Sequence, residues 1–209
     1  SVGVTESGGA VSAWADQSGN GNDFSQATGS LQPTYDATGL NGLPTIDFAN
    51  DELVSGTLSS SLSNTTIYCV WKMDTDYNGG SIMGQTTGAN NKRLFWYTST
   101  ASIYLWDDGT SSGIFSVADD PLVSAEAFVI RCDSSGYGEG RVNNDAFGTE
   151  NNVTAITTSA AAMKIGNRGA GSARYLQGRI SQLIVYQGEH TDTQVDSVMN
   201  YLNGIYSIW

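Results

Sequence analysis

The feature that most constrains this sequence is a pair of strand-like segments near its C-terminal end, joined by a glycine-rich loop. Together they span residues 163–186, MKIGNRGAGSARYLQGRISQLIVY. The second segment divides into two alternating sets, namely Ile180, Gln182, Ile184 and Tyr186, and Ser181, Leu183 and Val185. Because alternate side chains of a strand point to opposite faces, apolar residues in both sets require a packing layer on each side. The segment therefore predicts the central strand of a β-sandwich, with a second sheet on one face and a helix partly covering the other.

Length and composition support a β-rich fold. A chain of 209 residues can fill one core, and it contains 25 Gly, 5 Trp, 10 Tyr and 6 Phe, a mixture rich in strand and turn formers. We therefore expect one all-β domain over residues 1–209. The chain begins at Ser1 without an initiator methionine, which fits a piece excised from a longer protein.

The charge balance excludes several partners. With 9 basic and 21 acidic residues the formal net charge is −12, so phosphate backbones and anionic membrane surfaces would be repelled. No stretch reaches the roughly 18 consecutive apolar residues of a membrane helix, so membrane insertion is not expected. Neutral polymers and cations remain suitable ligands.

Strand signals recur along the chain with turns about every ten residues, the spacing of a sandwich or barrel. Two long strands are expected at residues 65–73 and 127–133, with a partner for the second in the stretch RVNNDAFG. An aromatic hairpin is expected from residues 94–97 and 103–106. Residues 31–48 contain two prolines and an Asn-Gly turn, which predicts short strands at an edge.

One helix is predicted, at residues 191–204. Thr191 followed by Gln194 fits a capping box, and Gly204 is expected to end the helix. The apolar positions at helical spacing are Val195, Val198, Met199 and Leu202. The helix is therefore expected to pack on the sandwich through one face.

The two cysteines, Cys69 and Cys132, both lie within predicted strands. Either they form a cross-strand disulfide or they are two buried thiols, since strand cysteines pair only in the right register. Metal ligation by this pair is not expected, because there is no CxxC spacing and the single histidine, His190, is distant in sequence.

Several motifs together resemble one known family. They are WADQSGNGNDFSQ, LPTIDF, TIYCVWKMD, AFVIRCDSSG followed by RVNN, MKIGNR, LQGRISQLIVY and NYLNGIY. In order and spacing they are similar to a laminin-G-like domain of the concanavalin A-like lectin and glucanase superfamily. The resemblance implies a jelly roll of two antiparallel sheets with one short C-terminal amphipathic helix. Because that fold hosts lectins, hydrolases, lyases and adhesive modules, it does not fix an activity.

The catalytic patterns of that superfamily are missing from the sequence. Its glycoside hydrolases carry an E-x-D-x-E cluster on one strand, which holds two carboxylates about 5 Å apart. The glutamates here are scattered: Glu6, Glu52, Glu126, Glu139, Glu150 and Glu189. Its lyases use His, Tyr, Arg and Gln on neighbouring strands, whereas His190 precedes the terminal helix, and no G-x-S-x-G elbow occurs. We therefore expect no enzymatic activity.

The aromatic hairpin is the best candidate for ligand contact. Sugar rings stack on Trp and Tyr, while amide and carboxylate groups bond their hydroxyls. The candidate carbohydrate-binding residues are Trp96, Tyr104, Trp106, Asp107 and Asn91. The alternative is that these rings pack in the core or against another module.

A calcium site is a further candidate. Asp74, Asp76, Asn78 and Gly79 form D-x-D-x-N-G, the first half of a calcium loop. Gln85 stands at the twelfth position and the flanks are strands, which excludes an EF-hand. Two interpretations of this segment remain, namely a looser calcium site and a plain polar hairpin loop.

These observations lead to a non-catalytic carbohydrate-binding or cell-surface recognition module of a larger extracellular or virion protein. Its expected partner is a polysaccharide or a cell-surface glycan. The alternatives are a structural or adhesive domain of a phage capsid or tail protein, which contacts other virion or surface subunits, and an unusual polysaccharide hydrolase or lyase.

Overall fold

The structure, a computed structural model, describes residues 2–57, 64–75, 80–85, 93–98, 102–107, 111–116, 122–135, 137–148, 151–152, 162–167 and 175–209. For the three strands between residues 93 and 116 it describes the backbone.

Sixteen strands and one α-helix form this part of the chain. The first eight strands are β1 (Val4–Ser7), β2 (Ala10–Trp14), β3 (Phe24–Ser25), β4 (Thr34–Leu40), β5 (Leu43–Ala49), β6 (Leu53–Thr57), β7 (Thr65–Met73) and β8 (Met83–Gln85). The other eight are β9 (Arg93–Thr98), β10 (Ser102–Asp107), β11 (Ser111–Ser116), β12 (Glu126–Cys132), β13 (Tyr137–Val142), β14 (Asn151–Asn152), β15 (Ala162–Ile165) and β16 (Gln177–Gln187). A 3-10 turn at Gly29–Leu31 precedes β4, and helix α1 covers Asp192–Tyr206.

The strands form one curled antiparallel sheet that folds into two layers. In the first layer the order is β11-β10-β9-β8-β15-β6-β3-β2, with β1 on β2, and in the second it is β4-β5-β16-β7-β12-β13-β14. The layers are joined where Ala10 of β2 lies opposite Thr34 of β4. This arrangement confirms the predicted all-β jelly-roll sandwich with one C-terminal helix.

The main core lies between the two layers. Its buried side chains include Val11, Leu53, Met163 and Ile165 from the first layer and Ile46, Phe48, Trp71, Phe128 and Ile180 from the second. The rings of Trp71 and Phe128 meet edge to face with centroids 5.9 Å apart. Apolar residues at alternate strand positions thus supply the burial that holds the layers together.

Strands β7 and β12 are buried on both faces. Cys69 and Trp71 of β7 face the main core, whereas Tyr68 and Val70 belong to a second cluster beneath α1. In β12, Phe128 faces the core in the same way. The helix therefore packs on these two strands.

The hairpin partner of β12 begins earlier than expected. Strand β13 starts at Tyr137, and Cys132 lies opposite Gly138. The predicted hairpin exists, but its second arm is formed mainly by the glycine-containing stretch YGEGRV.

Strand β16 lies between β5 and β7, which confirms its predicted interior position. The predicted faces were wrong in part, because a β-bulge shifts the register between Ile180 and Gln182. Ile180 lies opposite Trp71 in the main core, and Leu183, from the other predicted set, packs against the same core. The extra residue at the bulge, Ser181, reverses the alternation beyond it.

The prediction that residues 31–48 form edge strands was also wrong for β5, which pairs with β4 on one side and β16 on the other. The Asn-Gly turn was correct: Asn41 and Gly42 both have positive φ, of 51° and 80°, and join the paired residues Leu40 and Leu43. Two positive φ values in succession are typical of the tight hairpin turn that matches strand twist.

Helix α1 begins as its sequence predicts. The Thr191 side chain accepts a hydrogen bond from the Gln194 backbone, and the Gln194 side chain accepts one from the Thr191 backbone. The predicted end at Gly204 was wrong, because the helix continues to Tyr206 and Ser207 adopts the left-handed conformation. Tyr206 is buried, and its hydroxyl donates to Oε1 of Gln182 at 3.0 Å, so packing against the sheet extends the helix.

The cysteines are free and buried, which answers the question that the sequence left open. Cys69 lies opposite Phe128, whereas Cys132 lies opposite Thr65, four positions further along the strand pair. At about 3.3 Å per residue this places their backbones about 13 Å apart, too far for a disulfide.

No helix in the described ranges is both long and apolar enough to cross a bilayer.

Candidate functional site

The predicted aromatic hairpin is present in the backbone of β9 and β10. Tyr104 lies opposite Trp96, and Trp106 lies opposite Arg93 after a register irregularity. On its other side β10 pairs with β11, where Asp107 lies opposite Ser111. The hairpin lies near one end of the first layer, in the layer opposite the one that carries α1.

The structure thus brings part of the predicted carbohydrate site together. Trp96 and Tyr104 share one register position, and Trp106 and Asp107 follow on the same strand. Asn91 lies outside the described residues, as do the side-chain positions of the other four. What the structure gives for this site is therefore the strand pairing of its residues.

The predicted calcium site is described only at Asp74, since Asp76 and Asn78 lie outside the described residues. Asp74 Oδ1 accepts hydrogen bonds from Nε and Nη2 of Arg179 at 3.1 and 2.8 Å. Within the described ranges, no group of three or more His, Cys, Asp or Glu residues is placed to hold a metal. Asp74 therefore already has a cationic partner.

A polar and aromatic cluster around His190 was not predicted as a site. The Nδ1 atom of His190 lies 2.8 Å from the Tyr68 hydroxyl, and its ring lies 4.4 Å from the Tyr186 ring, centroid to centroid. The His190 backbone carbonyl accepts a hydrogen bond from Nη1 of Arg131 at 2.7 Å. No local sequence pattern predicts this cluster, because Tyr68 and His190 are 122 residues apart.

This cluster borders an open cleft of about 490 Å³ at the start of α1. It is lined by Arg131, Glu189, His190, Thr191, Asp192 and Thr193. The Arg131 guanidinium bonds Glu139, Asp192 and the carbonyl of His190. Because its donors are used within the protein, Arg131 is held in place as a structural cation.

Burial determines the protonation states of the two titratable side chains in the cluster, Tyr68 and His190. Burial raises the pKa of the Tyr68 phenol well above its usual value, so the hydroxyl keeps its proton. Burial also lowers the pKa of His190 below 6.5, which favours the neutral ring. Since Nδ1 is occupied by the Tyr68 hydroxyl, the arrangement is suited to holding structure rather than to proton transfer from a substrate.

A second cleft, of about 340 Å³, lies at the other end of α1. It is lined by Gly39, Leu40, Asn41, Lys72, Val123, Ser124, Ala125, Ser207 and Ile208. The Asn41 side chain donates to the carbonyls of Tyr206 and Ser207 at 2.7 and 3.3 Å, which satisfies the end of the helix. Lys72 lies near that helix end, where a positive charge is favourable.

No family model matches the sequence, and no curated protein matches it significantly. Solved structures do match its fold. The binding domain of Paraclostridial Mosquitocidal Protein 1 is 12% identical with a TM-score of 0.67, and the match covers 95% of this chain and 51% of that one. Domain 4 of AbnA, an extracellular arabinanase of Geobacillus stearothermophilus, in complex with arabinotriose, is 14% identical with a TM-score of 0.66, over 90% of this chain and 97% of that one.

A third similar structure is the CBM40 domain of the Ruminococcus gnavus IT-sialidase, which is 14% identical with a TM-score of 0.54, over 66% of this chain and 84% of that one. Several matched structures are longer, and this chain spans about half of two of them and 32% of a Trypanosoma rangeli sialidase. The matched structures include carbohydrate-binding and receptor-binding domains. These likenesses show that the chain has an antiparallel β-sandwich fold, and its laminin-G resemblance rests on the motifs alone.

Proposed function

We propose that the chain is a non-catalytic carbohydrate-binding module. The observation that carries this proposal is its likeness to Domain 4 of AbnA, whose structure contains arabinotriose and which this chain matches over nearly the whole of both lengths. The ligand is a polysaccharide or a cell-surface glycan. The place of action is extracellular, on a cell surface or on a virion, as part of a larger protein.

The proposed site is the hairpin of β9 and β10. Trp96 and Tyr104 lie opposite each other, and Trp106 follows two residues along β10, so three large aromatic residues occupy one short region of sheet. Aromatic rings stack on the apolar faces of sugars, and Asp107 and Asn91 supply polar atoms for hydroxyl groups.

A binding role is favoured over catalysis by the state of the single histidine. Its Nδ1 atom is paired with the buried Tyr68 hydroxyl, and the nearby Glu139 and Asp192 carboxylates are paired with Arg131. Glycoside hydrolysis needs a free carboxylate pair across the scissile bond.

Affinity electrophoresis against a panel of soluble polysaccharides that includes arabinan tests the proposal. We expect retardation by at least one polysaccharide, and its loss in Trp106→Ala. Trp209→Ala is the matched control, since Trp209 is 39% exposed and lies outside the hairpin. Absence of retardation by every polysaccharide, or equal loss in both variants, would contradict it. Release of reducing ends or unsaturated uronates would indicate an enzyme instead.

We also propose a loose calcium site at Asp74, Asp76 and Asn78. Because alternate oxygens of this loop suit a hard cation, calcium should raise the melting temperature modestly. Asp76→Asn should reduce that rise, and a melting curve that is the same in calcium and in EDTA would remove the site.

The second candidate function is a structural or adhesive domain that contacts other virion or surface subunits. It is favoured by exposed apolar side chains on α1, where Tyr201 is 62% and Ile205 39% exposed. This function would be favoured by two results together. Light scattering would show self-association that Tyr201→Ser abolishes, and no glycan would bind.

A further inference from the structure

The single histidine occupies the junction between strand β16 and helix α1, and it touches two other strands. Its backbone N–H donates to Thr66 Oγ1 on β7 at 2.9 Å. Its carbonyl accepts from Arg131 on β12 at 2.7 Å, and its Nδ1 lies 2.8 Å from the Tyr68 hydroxyl on β7. His190 thus bonds the start of the helix to two strands of the second layer, beside the ion pair between Arg131 and Asp192.

The Tyr68 hydroxyl can donate to Nδ1 of His190 only while the imidazole is neutral and carries its proton on Nε2. Tyr68 is 0% exposed and keeps its phenolic proton, and we assign its hydroxyl as the donor to an unprotonated Nδ1, which gives that buried proton an acceptor. On protonation Nδ1 becomes a donor, and the phenolic proton loses its acceptor in a buried position. A buried donor left without an acceptor is costly, so protonation opposes this arrangement.

The surrounding charges do not reverse this preference. The titratable and charged groups around His190 are Tyr68 on β7, Arg131 on β12, Glu139 and Arg141 on β13, Tyr186 on β16, Glu189 in the preceding loop and Asp192 on α1. Arg131 opposes a second positive charge, and the carboxylates of Glu139 and Asp192 are already paired with it. Glu189 is exposed, so water weakens its attraction for an imidazolium.

We propose that His190 is a pH-sensitive latch, which holds the first turns of α1 on the sheet while its ring is neutral and releases them when the ring is protonated. This inference does not depend on the carbohydrate-binding proposal. Since burial lowers the pKa of His190 in the folded state, its contribution to stability is present above about pH 6.5 and is lost as the pH falls below that value. The equilibrium between the state in which His190 holds the helix and the state in which the helix start is released should therefore shift with pH. At about pH 5.5 it should favour the released state by up to about tenfold more than at neutral pH.

Because the chain contains one His, its imidazole gives a single set of NMR signals that report the titration directly. We expect a midpoint below 6.5 in the wild-type protein. In Tyr68→Phe, which keeps the ring and removes the hydroxyl, the midpoint should move towards 6.5. Tyr186→Phe is the matched control: it removes the hydroxyl of the other contacting tyrosine, and the midpoint should not change.

Hydrogen exchange then tests the release itself. After correction for intrinsic exchange rates, the amides of His190 and of the first two turns of α1 should lose protection between about pH 7.5 and 5.5, while amides of β7 and β12 should not. In His190→Gln this selective loss should disappear. A wild-type midpoint at or above 6.5, unchanged helix protection, or an equal loss in His190→Gln would each overturn the latch.

Discussion

Nη2 of Arg131 lies 2.6 Å from Oδ1 of Asp192, an ion pair that joins strand β12 to the first residue of helix α1. One turn further along, Asp196 pairs with Arg141 of the neighbouring strand β13 at 2.5 Å. The Phe147 ring lies beneath both guanidinium groups, with its centroid 4.2 and 5.1 Å from their central carbons. The helix is therefore fixed to the sheet by charge along one side and by apolar packing beneath.

Substitutions of Arg131 and of Asp192 should lower stability by different amounts. The Asp192 side chain is 74% exposed, whereas that of Arg131 is 11% exposed. Asp192→Asn should lower the free energy of unfolding by under about 1 kcal/mol, because exposed ion pairs contribute little. Arg131→Met should lower it by about 2–4 kcal/mol, since it leaves Glu139 and the carbonyl of His190 without their donor. Urea unfolding measures both, and equal losses would contradict the assignment of Arg131 as the central cation.

Two glycines should respond to alanine with opposite signs. A Cβ atom at Gly178 would lie 2.4 Å from the Lys72 carbonyl oxygen of the paired strand, so Gly178→Ala should destabilise the fold by about 1–3 kcal/mol or more. Gly204 lies inside α1, and apart from its own stretch of helix no described residue has an atom within 4 Å of such a Cβ, so Gly204→Ala should stabilise the fold by about 0.5–1 kcal/mol. Thermal unfolding of both variants checks the signs, and a stabilised Gly178→Ala would refute the close approach of β16 to β7.

A buried polar cluster links β15 to the start of β6. Lys164 Nζ lies 2.7 and 2.9 Å from the two carboxylate oxygens of Glu52, which is 7% exposed, and Asn167 donates to the same group at 2.5 Å. Glu52→Ala should cost about 3 kcal/mol, because it leaves a partly buried ammonium without its partner. The double variant Glu52→Leu with Lys164→Met should recover much of the loss, and failure to recover any would show that the pair itself is not the cause.

The two thiols should be unreactive in the folded protein. Burial raises the pKa of Cys69 far above its usual value and that of Cys132 to about 12, so neither forms a thiolate near neutral pH. We expect no reaction with Ellman's reagent at pH about 8 in buffer, and two reactive thiols in guanidinium chloride. Rapid reaction of either thiol in buffer would contradict the buried positions.

The pairing of strands β9 and β10, on which the proposed carbohydrate site rests, could be predicted from the sequence, because the two strands are close together along the chain. That pairing places Trp96 opposite Tyr104. The His190 cluster could not be predicted, since it depends on β16 lying beside β7 in a fixed register, which brings Tyr186 opposite Thr66.

The sequence by itself determined the features that depend on neighbouring residues: the alternation in β7 and β12, the turn at Asn41 and Gly42, and the capping box at Thr191. Only the tertiary structure decided the bulge at Ser181 and the continuation of α1 to Tyr206. The physical reason is that local hydrogen bonds and φ preferences act within a few residues, whereas these two outcomes arise from burial against strands distant in sequence. At Ser181 and at Gly204, the packing of neighbouring side chains against those strands outweighs the local backbone preference of the residue itself.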